Sequence, residues 1–243
     1  MAKFKSHKHL KVPSWNAILW RYMSIAKFLD LVLSQRLCFV SPTQFSDGYE
    51  VTLPENIVNL LNKHKGGIGD LNIDKLVAEV ESIRKNALVS CWAQKRTESF
   101  AHWKVYLDGG KSGVAIKTNF KRLQEAVSAE DIEIFVGKVS YKDSLPLSRI
   151  SNESIITTKR TYYEYENEVR LFIQNMPLGG NLDFSDHSCP IYAHVSVDID
   201  VLIDEIYLSP FEAVWFPDVL TGVLSALRPN LVSKIRGSRI RDA

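Results

Sequence analysis

Glu164, Glu166 and Glu168 occupy alternate positions in Tyr-Tyr-Glu-Tyr-Glu-Asn-Glu-Val-Arg-Leu-Phe-Ile, where the pattern predicts the start of a β-strand. Side chains alternate across a strand, so an extended chain sets all three carboxylates and Arg170 in one row. Like charges at that spacing repel and raise one another's pKa, so folding gains nothing from them unless cations, donors or a ligand offset the strain. The cluster is the first place to look for chemistry. The alternative is a structural ion network in which Glu166 and Glu168 pair with Arg160, Arg170 or Arg21.

Ser41 to Glu50 is rich in turn formers, and its acids Asp47 and Glu50 can reach over a pocket. Asp47 is a candidate ligand contact there, although Asp before Gly is also ordinary turn chemistry, with Phe45 anchoring the loop. Phe100, Trp103 and Tyr106 share one face of a predicted helix, an aromatic row that reads as core. His102 lies between them without an obvious partner and reads as solvent-facing or at the core edge. Asp186, His187, Cys189 and His194 are zinc-ligand types, but their spacing matches no zinc knuckle and no second cysteine pair completes the set, so no metal is expected. Gly109 to Gly113 imitates the end of a phosphate-binding loop, yet Val105 stands where that motif needs glycine. No Gly-x-Ser-x-Gly elbow is present, and no acid has Lys two positions later, which weakens the serine-hydrolase and commonest nuclease readings.

The elements that must position these residues follow from periodicity. Strands are predicted over Ala17–Tyr22, Leu37–Val40, Ala87–Trp92, Val114–Lys117, Ile132–Tyr141, Val169–Gln174, Ile191–Val197, Glu205–Leu208 and Leu231–Ile235. Helices are predicted after Ser24 as N-cap, over Pro54–Lys63, Ile73–Asn86, Glu98–Leu107 and Phe120–Val127, from about Ser151, and over Phe211–Leu227. Strands and helices mix without βαβ alternation, which predicts an α+β fold. The expected organisation is one domain spanning residues 1–243, with a central mixed or antiparallel split sheet, a basic tail over 1–12 and a helical insertion near 54–86.

At 243 residues and 45% hydrophobic, the chain is long and apolar enough for one sizeable core. No apolar run is long enough to span a bilayer and no end reads as a secretory signal, so membrane contact is not expected. Cys38, Cys91 and Cys189 sit among apolar neighbours without paired spacing and read as reduced thiols of a cytoplasmic protein. A net charge of +2 hides basic ends: Lys3, Lys5, Lys8 and Lys11 at one, and Lys234, Arg236, Arg239 and Arg241 at the other. Such ends either contact nucleic acid or a partner protein or are solvated tails.

Leu19-Trp20-Arg21-Tyr22, Phe45-Ser46-Asp47-Gly48-Tyr49-Glu50, Val89-Ser90-Cys91-Trp92, Trp103, Tyr106, Gly113-Val114 and Tyr165-Glu166-Asn167-Glu168-Val169-Arg170 occur in that order. As a set they resemble the bacterial domain-of-unknown-function family 2971, with Ser46 where Asn is usual and Gly48 where Pro is usual. That resemblance implies a setting in anti-phage or toxin systems. A looser resemblance is to the ADP-ribosyltransferase fold, which presents an Arg with an aromatic on its first strand, a middle-strand Ser and a late Glu-x-Glu. Arg21-Tyr22, Ser90 and Glu166-Asn167-Glu168 stand in that order here.

The second resemblance implies NAD as substrate. Glu168 would stabilise the positive charge that develops on the ribose as nicotinamide leaves, and Glu166 would position or deprotonate the acceptor. Arg21 would grip the diphosphate, Ser90 would steady the ribose or Glu168, and Tyr22 or Trp92 would stack on nicotinamide. The functional expectation is an NAD-using ADP-ribosyltransferase or glycohydrolase. The alternative is a non-catalytic nucleotide- or nucleic-acid-sensing module of a defence complex, and the third reading is a nuclease.

Overall fold

The computed structural model describes residues 3–5, 7–63, 73–107, 112–127, 132–174 and 191–240. The described strands are β1 (Lys3–Lys5), β2 (Ile18–Ser24), β3 (Arg36–Val40), β4 (Leu88–Gln94), β5 (Gly113–Asn119), β6 (Glu133–Lys138), β7 (Ser140–Tyr141), β8 (Thr158–Lys159), β9 (Glu168–Ile173), β10 (Tyr192–Ser196), β11 (Glu205–Leu208) and β12 (Ile235–Arg236). The α-helices are α1 (Ile25–Ser34), α2 (Glu55–Lys63), α3 (Ile73–Asn86), α4 (Phe100–Tyr106), α5 (Phe120–Ala126), α6 (Asn152–Ile156), α7 (Ile199–Leu202) and α8 (Phe216–Leu227). They form one α+β domain in which α2 and α3 fill the predicted helical stretch between β3 and β4. No helix among the described residues is long and apolar enough to cross a membrane.

Strand β9 is buried at all six positions, so it must lie inside a sheet with both faces covered. It pairs antiparallel with β4 over six residues and with β6 over four. The sheet runs β1-β6-β9-β4-β2-β5-β11-β12, with parallel pairs only at β1–β6 and β11–β12.

The other edge of β4 is shared. Leu19 and Trp20 of β2 pair with Gln94 and Ala93, whereas Val40 of β3 pairs with Val89 at the opposite end of β4. Between those points β2 turns fully to β5, with which it pairs over seven residues, and β3 turns to β10. The sheet therefore forks at β4. The main apolar cluster joins Leu19 and Met23 of β2 to Phe28 of α1, Trp92 of β4 and Val169 and Leu171 of β9. A smaller cluster of Trp20, Tyr22, Trp103 and Tyr207 packs α4 against β2.

The glutamate stretch departs from its predicted strand. Thr161–Glu166 is a 3-10 helix, Asn167 is left-handed at φ 44, and β9 begins only at Glu168. The predicted Phe211–Leu227 helix starts at Phe216, because Pro217 fits the first turn but would break an interior one. Leu231 lies in a 3-10 turn over Pro229–Lys234, and only Ile235 and Arg236 join the sheet. The predicted Ile132–Tyr141 strand divides into β6 and β7. Ser24 takes the N-cap position of α1, though its side chain makes no capping bond. Predictions falling on Gly66 to Gly69, Gly109 to Lys111 and Asp186 to Cys189 lie outside the described residues.

Two glycines give opposite expectations. A Cβ at Gly113, the first residue of β5, would meet the Leu107 side chain and lie 2.7 Å from the Met23 carbonyl oxygen. Gly222 in α8 has nothing within 4 Å of that position. Thermal melts should show Gly113→Ala losing about 1–3 kcal/mol through overpacking and Gly222→Ala gaining about 0.5–1 kcal/mol from helix propensity.

Candidate functional site

Where β2 and β3 part, a cavity of about 860 Å³ opens over β4 and β9. Arg21 and Tyr22 of β2, Cys38 of β3, Cys91 of β4 and Glu168 and Arg170 of β9 line it. His102 and Tyr106 of α4, Lys159 of β8, and Phe45, Ser46 and Glu50 of the loop after β3 complete the wall.

Arg21 fills the crotch of the fork. Its Nη1 donates to Ser90 Oγ on β4 and its Nη2 to the Cys38 carbonyl of β3 at 3.1 Å. The guanidinium lies 5.7 Å from the Trp92 ring centroid. It therefore replaces with side-chain bonds the ladder that β2 and β4 stop making. No carboxylate among the described residues forms an ion pair with it. Burial lowers its pKa, and the neighbouring titratable groups are Cys91, Cys38 and Tyr106, all neutral at pH 7.

The opposite wall carries a buried ion network. Arg170, 1% exposed, donates from Nε and Nη2 to both oxygens of Glu168 at 3.0 and 2.9 Å. Its Nη2 also reaches Glu50, and its Nη1 donates to the Ile156 carbonyl at the end of α6 at 2.8 Å. Lys159 bonds Glu50 at 2.6 Å and Glu166 at 2.7 Å. Three carboxylates thus face two cations. Burial pushes the Glu168 pKa up, but Arg170 outweighs it and holds that carboxyl below its ordinary value. Glu166 moves the other way: burial, with the charges of Glu168 and Glu50 adding to it, raises its pKa despite Lys159. The two carboxylates are buried alike but paired unequally: Arg170 gives Glu168 two donors, whereas Lys159 is divided between Glu166 and Glu50.

Local backbone geometry brings the two motif glutamates together. Asn167 tolerates the left-handed region better than most residues, and its N–H donates to the Glu164 carbonyl. Its side chain donates to the Gln94 carbonyl at 2.6 Å, tying the bend to β4. Glu166 at the end of the 3-10 helix and Glu168 at the start of β9 consequently line one cavity, while Glu164 stays exposed. Beside Glu50, Val51 adopts φ 55, unusual for a β-branched residue and of order 1–3 kcal/mol in cost.

His102 is the cavity-wall residue that sequence reasoning misplaced. It is fully buried, with Nδ1 2.9 Å from Ser99 Oγ and Nε2 3.2 Å from the Glu166 carbonyl oxygen. The carbonyl only accepts, so Nε2 carries the proton and Nδ1 accepts from the serine. Burial lowers the His102 pKa to about 4, against the pull of that carbonyl, and the ring is neutral at pH 7. Tyr106 stacks against it at 5.7 Å, and Tyr22 lies nearly parallel to Tyr106 at 6.4 Å. Burial and then Glu168 and Glu166 raise the Tyr106 pKa.

Of the other predicted site residues, Arg21, Tyr22, Glu166 and Glu168 line the cavity. Ser90 is fully buried and serves Arg21 rather than Glu168. Trp92 lies in the main core, so its ring is not on the cavity wall. Asp47 accepts from Arg160 at 3.1 and 3.2 Å and from the Tyr49 N–H at 3.0 Å, clasping the loop beside the cavity without lining it. Phe100 is exposed and Trp103 buried, so only Tyr106 of the aromatic row meets the cavity. Arg170, not Arg160 or Arg21, is the arginine of the network; Lys159 joins it from seven residues before Glu166 and Glu50 from distant sequence. No group of three or more His, Cys, Asp or Glu among the described residues has a metal-holding arrangement. Of the terminal cations, Lys5 pairs with Glu133, Lys234 donates to the Asp200 and Ile203 carbonyls, and Arg236 pairs with Glu205.

No family model matches the chain, and no curated protein matches it.

Removing Arg170 strands Glu168 and Glu50 in the interior. Arg170→Met should cost about 3–5 kcal/mol in denaturant unfolding at pH 7. His102 gives a pH signature. Its folded pKa of about 4 lies below the ordinary 6.5, so the neutral ring stabilises the fold fully above pH 6.5, and that contribution is lost as pH falls toward 4. Melting temperature should drop across that window in the wild type and drop less steeply in His102→Gln; parallel curves would contradict the assignment.

Proposed function

We propose that the fork cavity binds a dinucleotide of the NAD type, and that its carboxylate end acts on the nicotinamide–ribose bond. One observation carries the reading: the same cavity wall holds a half-buried guanidinium without a carboxylate partner among the described residues at one place and a surplus carboxylate at another. A charge drawn partly out of water without a counter-charge is costly. A ligand with an anionic diphosphate and a cationic ring offsets both at once, and a volume of about 860 Å³ is of the size that holds such molecules.

The chemistry then follows from the groups on the wall. As the carbon–nitrogen bond breaks, its electron pair goes to the ring nitrogen, neutral nicotinamide leaves, and the ribose carbon gains positive character. Glu168, kept ionised by Arg170, lowers the energy of that charge. Glu166 has a raised pKa and is the better base of the two, taking the proton of the acceptor hydroxyl, amine or water as its new bond to ribose forms. Arg21 retains free N–H groups for diphosphate oxygens. His102 fixes the Glu166 backbone and acts as a positioning residue. Membership of the domain-of-unknown-function family and a setting in phage defence or toxin action belong to the same proposal, as does contact of the remaining basic residues near the termini with nucleic acid or a partner.

A second reading, a non-catalytic nucleotide sensor, is favoured by the bidentate grip of Arg170 on both Glu168 oxygens. Incubation with NAD⁺ and measurement of free nicotinamide separates the two. Release that falls at least about a hundredfold in Glu168→Gln, with folding intact by circular dichroism, supports the enzyme. Calorimetric binding without release supports the sensor, and the absence of both binding and release ends the dinucleotide reading.

A further inference from the structure

Two thiols face the fork cavity, and the register of its walls sets them against each other. Val40 of β3 pairs antiparallel with Val89 of β4, and both line the cavity. Two residues further into the fork, that register brings Cys38 opposite Cys91, and both of these line the cavity too. Directly opposed residues of an antiparallel pair have Cα atoms about 4.5–5.5 Å apart, inside the roughly 4.4–6.8 Å that a disulfide spans. Beyond Val40 and Val89 the strands begin to part, but Arg21 still touches both, at the Cys38 carbonyl and at Ser90. The gap at this level is thus no wider than one guanidinium with its hydrogen bonds. Both thiols are free and half-buried, which leaves each within reach of a small solute in the cavity.

The two sulfurs are not equivalent. Burial raises the pKa of both, but Arg21 opposes this at Cys38, whereas Glu168 adds to it at Cys91. Cys38 therefore gives up its proton first. Directly opposite it on β10 stands His194, whose Nε2 lies 3.4 Å from Asp30 Oδ2. An imidazole oriented by a carboxylate is thus placed beside the thiol to take that proton.

We infer that Cys38 and Cys91 are a peroxide-reactive pair that closes into a disulfide, clamping β3 to β4 across the fork. The Cys38 thiolate attacks one oxygen of a peroxide, the O–O bond breaks, and the other oxygen takes a proton and leaves as water. The Cys91 sulfur then attacks the sulfur of the Cys38 sulfenic acid. The S–S bond forms, the S–O bond breaks, and the second oxygen leaves as water with the Cys91 proton. Two thiols lose two electrons and two protons, and one hydrogen peroxide becomes two waters. The pair needs no other ligand, so it stands whether or not the cavity takes a dinucleotide.

Peptide mapping of the full chain tests this. The reduced protein is exposed to hydrogen peroxide, alkylated and digested, and its peptides are weighed. The expected product is a linked peptide joining Cys38 to Cys91, with Cys189 still open to alkylation, and dithiothreitol should restore both thiols. Dimedone, which traps sulfenic acids, should label Cys38 in Cys91→Ser and leave Cys91 unlabelled in Cys38→Ser. His194→Gln should slow formation of the linked peptide at least about tenfold. The oxidised wild type should melt at a higher temperature than the reduced protein, because the bridge restricts the unfolded chain. Should a serine variant fail to fold, the wild-type peptide map and melting shift decide the matter. Oxidation of either thiol without the linked peptide, linkage through Cys189 instead, or a melting temperature lowered by oxidation overturns the inference.

Discussion

Arg170 places a guanidinium in the middle of a strand that is covered on both sides, and the surrounding structure is arranged to neutralise it. A charge so far from water is tolerated only with near-complete hydrogen bonding and opposite charge at close range. Glu168, two residues earlier on the same strand face, takes two donors. Glu50 comes from the loop after β3, and the Ile156 carbonyl comes from the end of α6. Two other chain segments are thereby drawn to one side chain of β9. The loop and the strand that form one side of the cavity, and the short helix behind them, are spaced by the demands of that guanidinium.

Lys159 extends the arrangement to the motif glutamates. Its ammonium bridges Glu50 and Glu166, linking the loop to the 3-10 helix that ends at the Asn167 bend. His102 then fastens the same bend to α4 through the Glu166 carbonyl. The cavity wall is consequently a closed circuit of polar contacts, with apolar clusters behind it on both faces of the sheet. Such a wall is stiff, and stiffness is what lets fixed charges act on a ligand without first reorganising.

Much of the fold could be read from local pattern, because strand and helix periods are local properties. Glu205–Leu208 and the helices over 55–63 and 73–86 sit where periodicity predicts them. Glu168 and Arg170 do share a strand face. What escaped was whatever depends on partners far along the chain. The pairing of Glu50 with Arg170 and Lys159 joins positions over a hundred residues apart, and no spacing rule signals it. Strand β4 is apolar on both faces, so alternation could not say that Trp92 turns to the core while Cys91 meets the cavity. His102 was misplaced because its acceptor is a backbone carbonyl, which leaves no trace in residue types. The Glu-Asn-Glu stretch read as continuous strand because Asn is only weakly informative until its φ is known.

The fork has a consequence for how such a protein diverges. Past Trp20 the described residues of β2 and β4 exchange no backbone bonds, and among them Arg21 spans the gap to Ser90 and Cys38. The aperture is therefore gauged by the reach of a single side chain rather than by the invariant repeat of a ladder. Relatives with the same strand order but a shorter or branched residue at this point would keep the architecture and yet admit guests of a different girth.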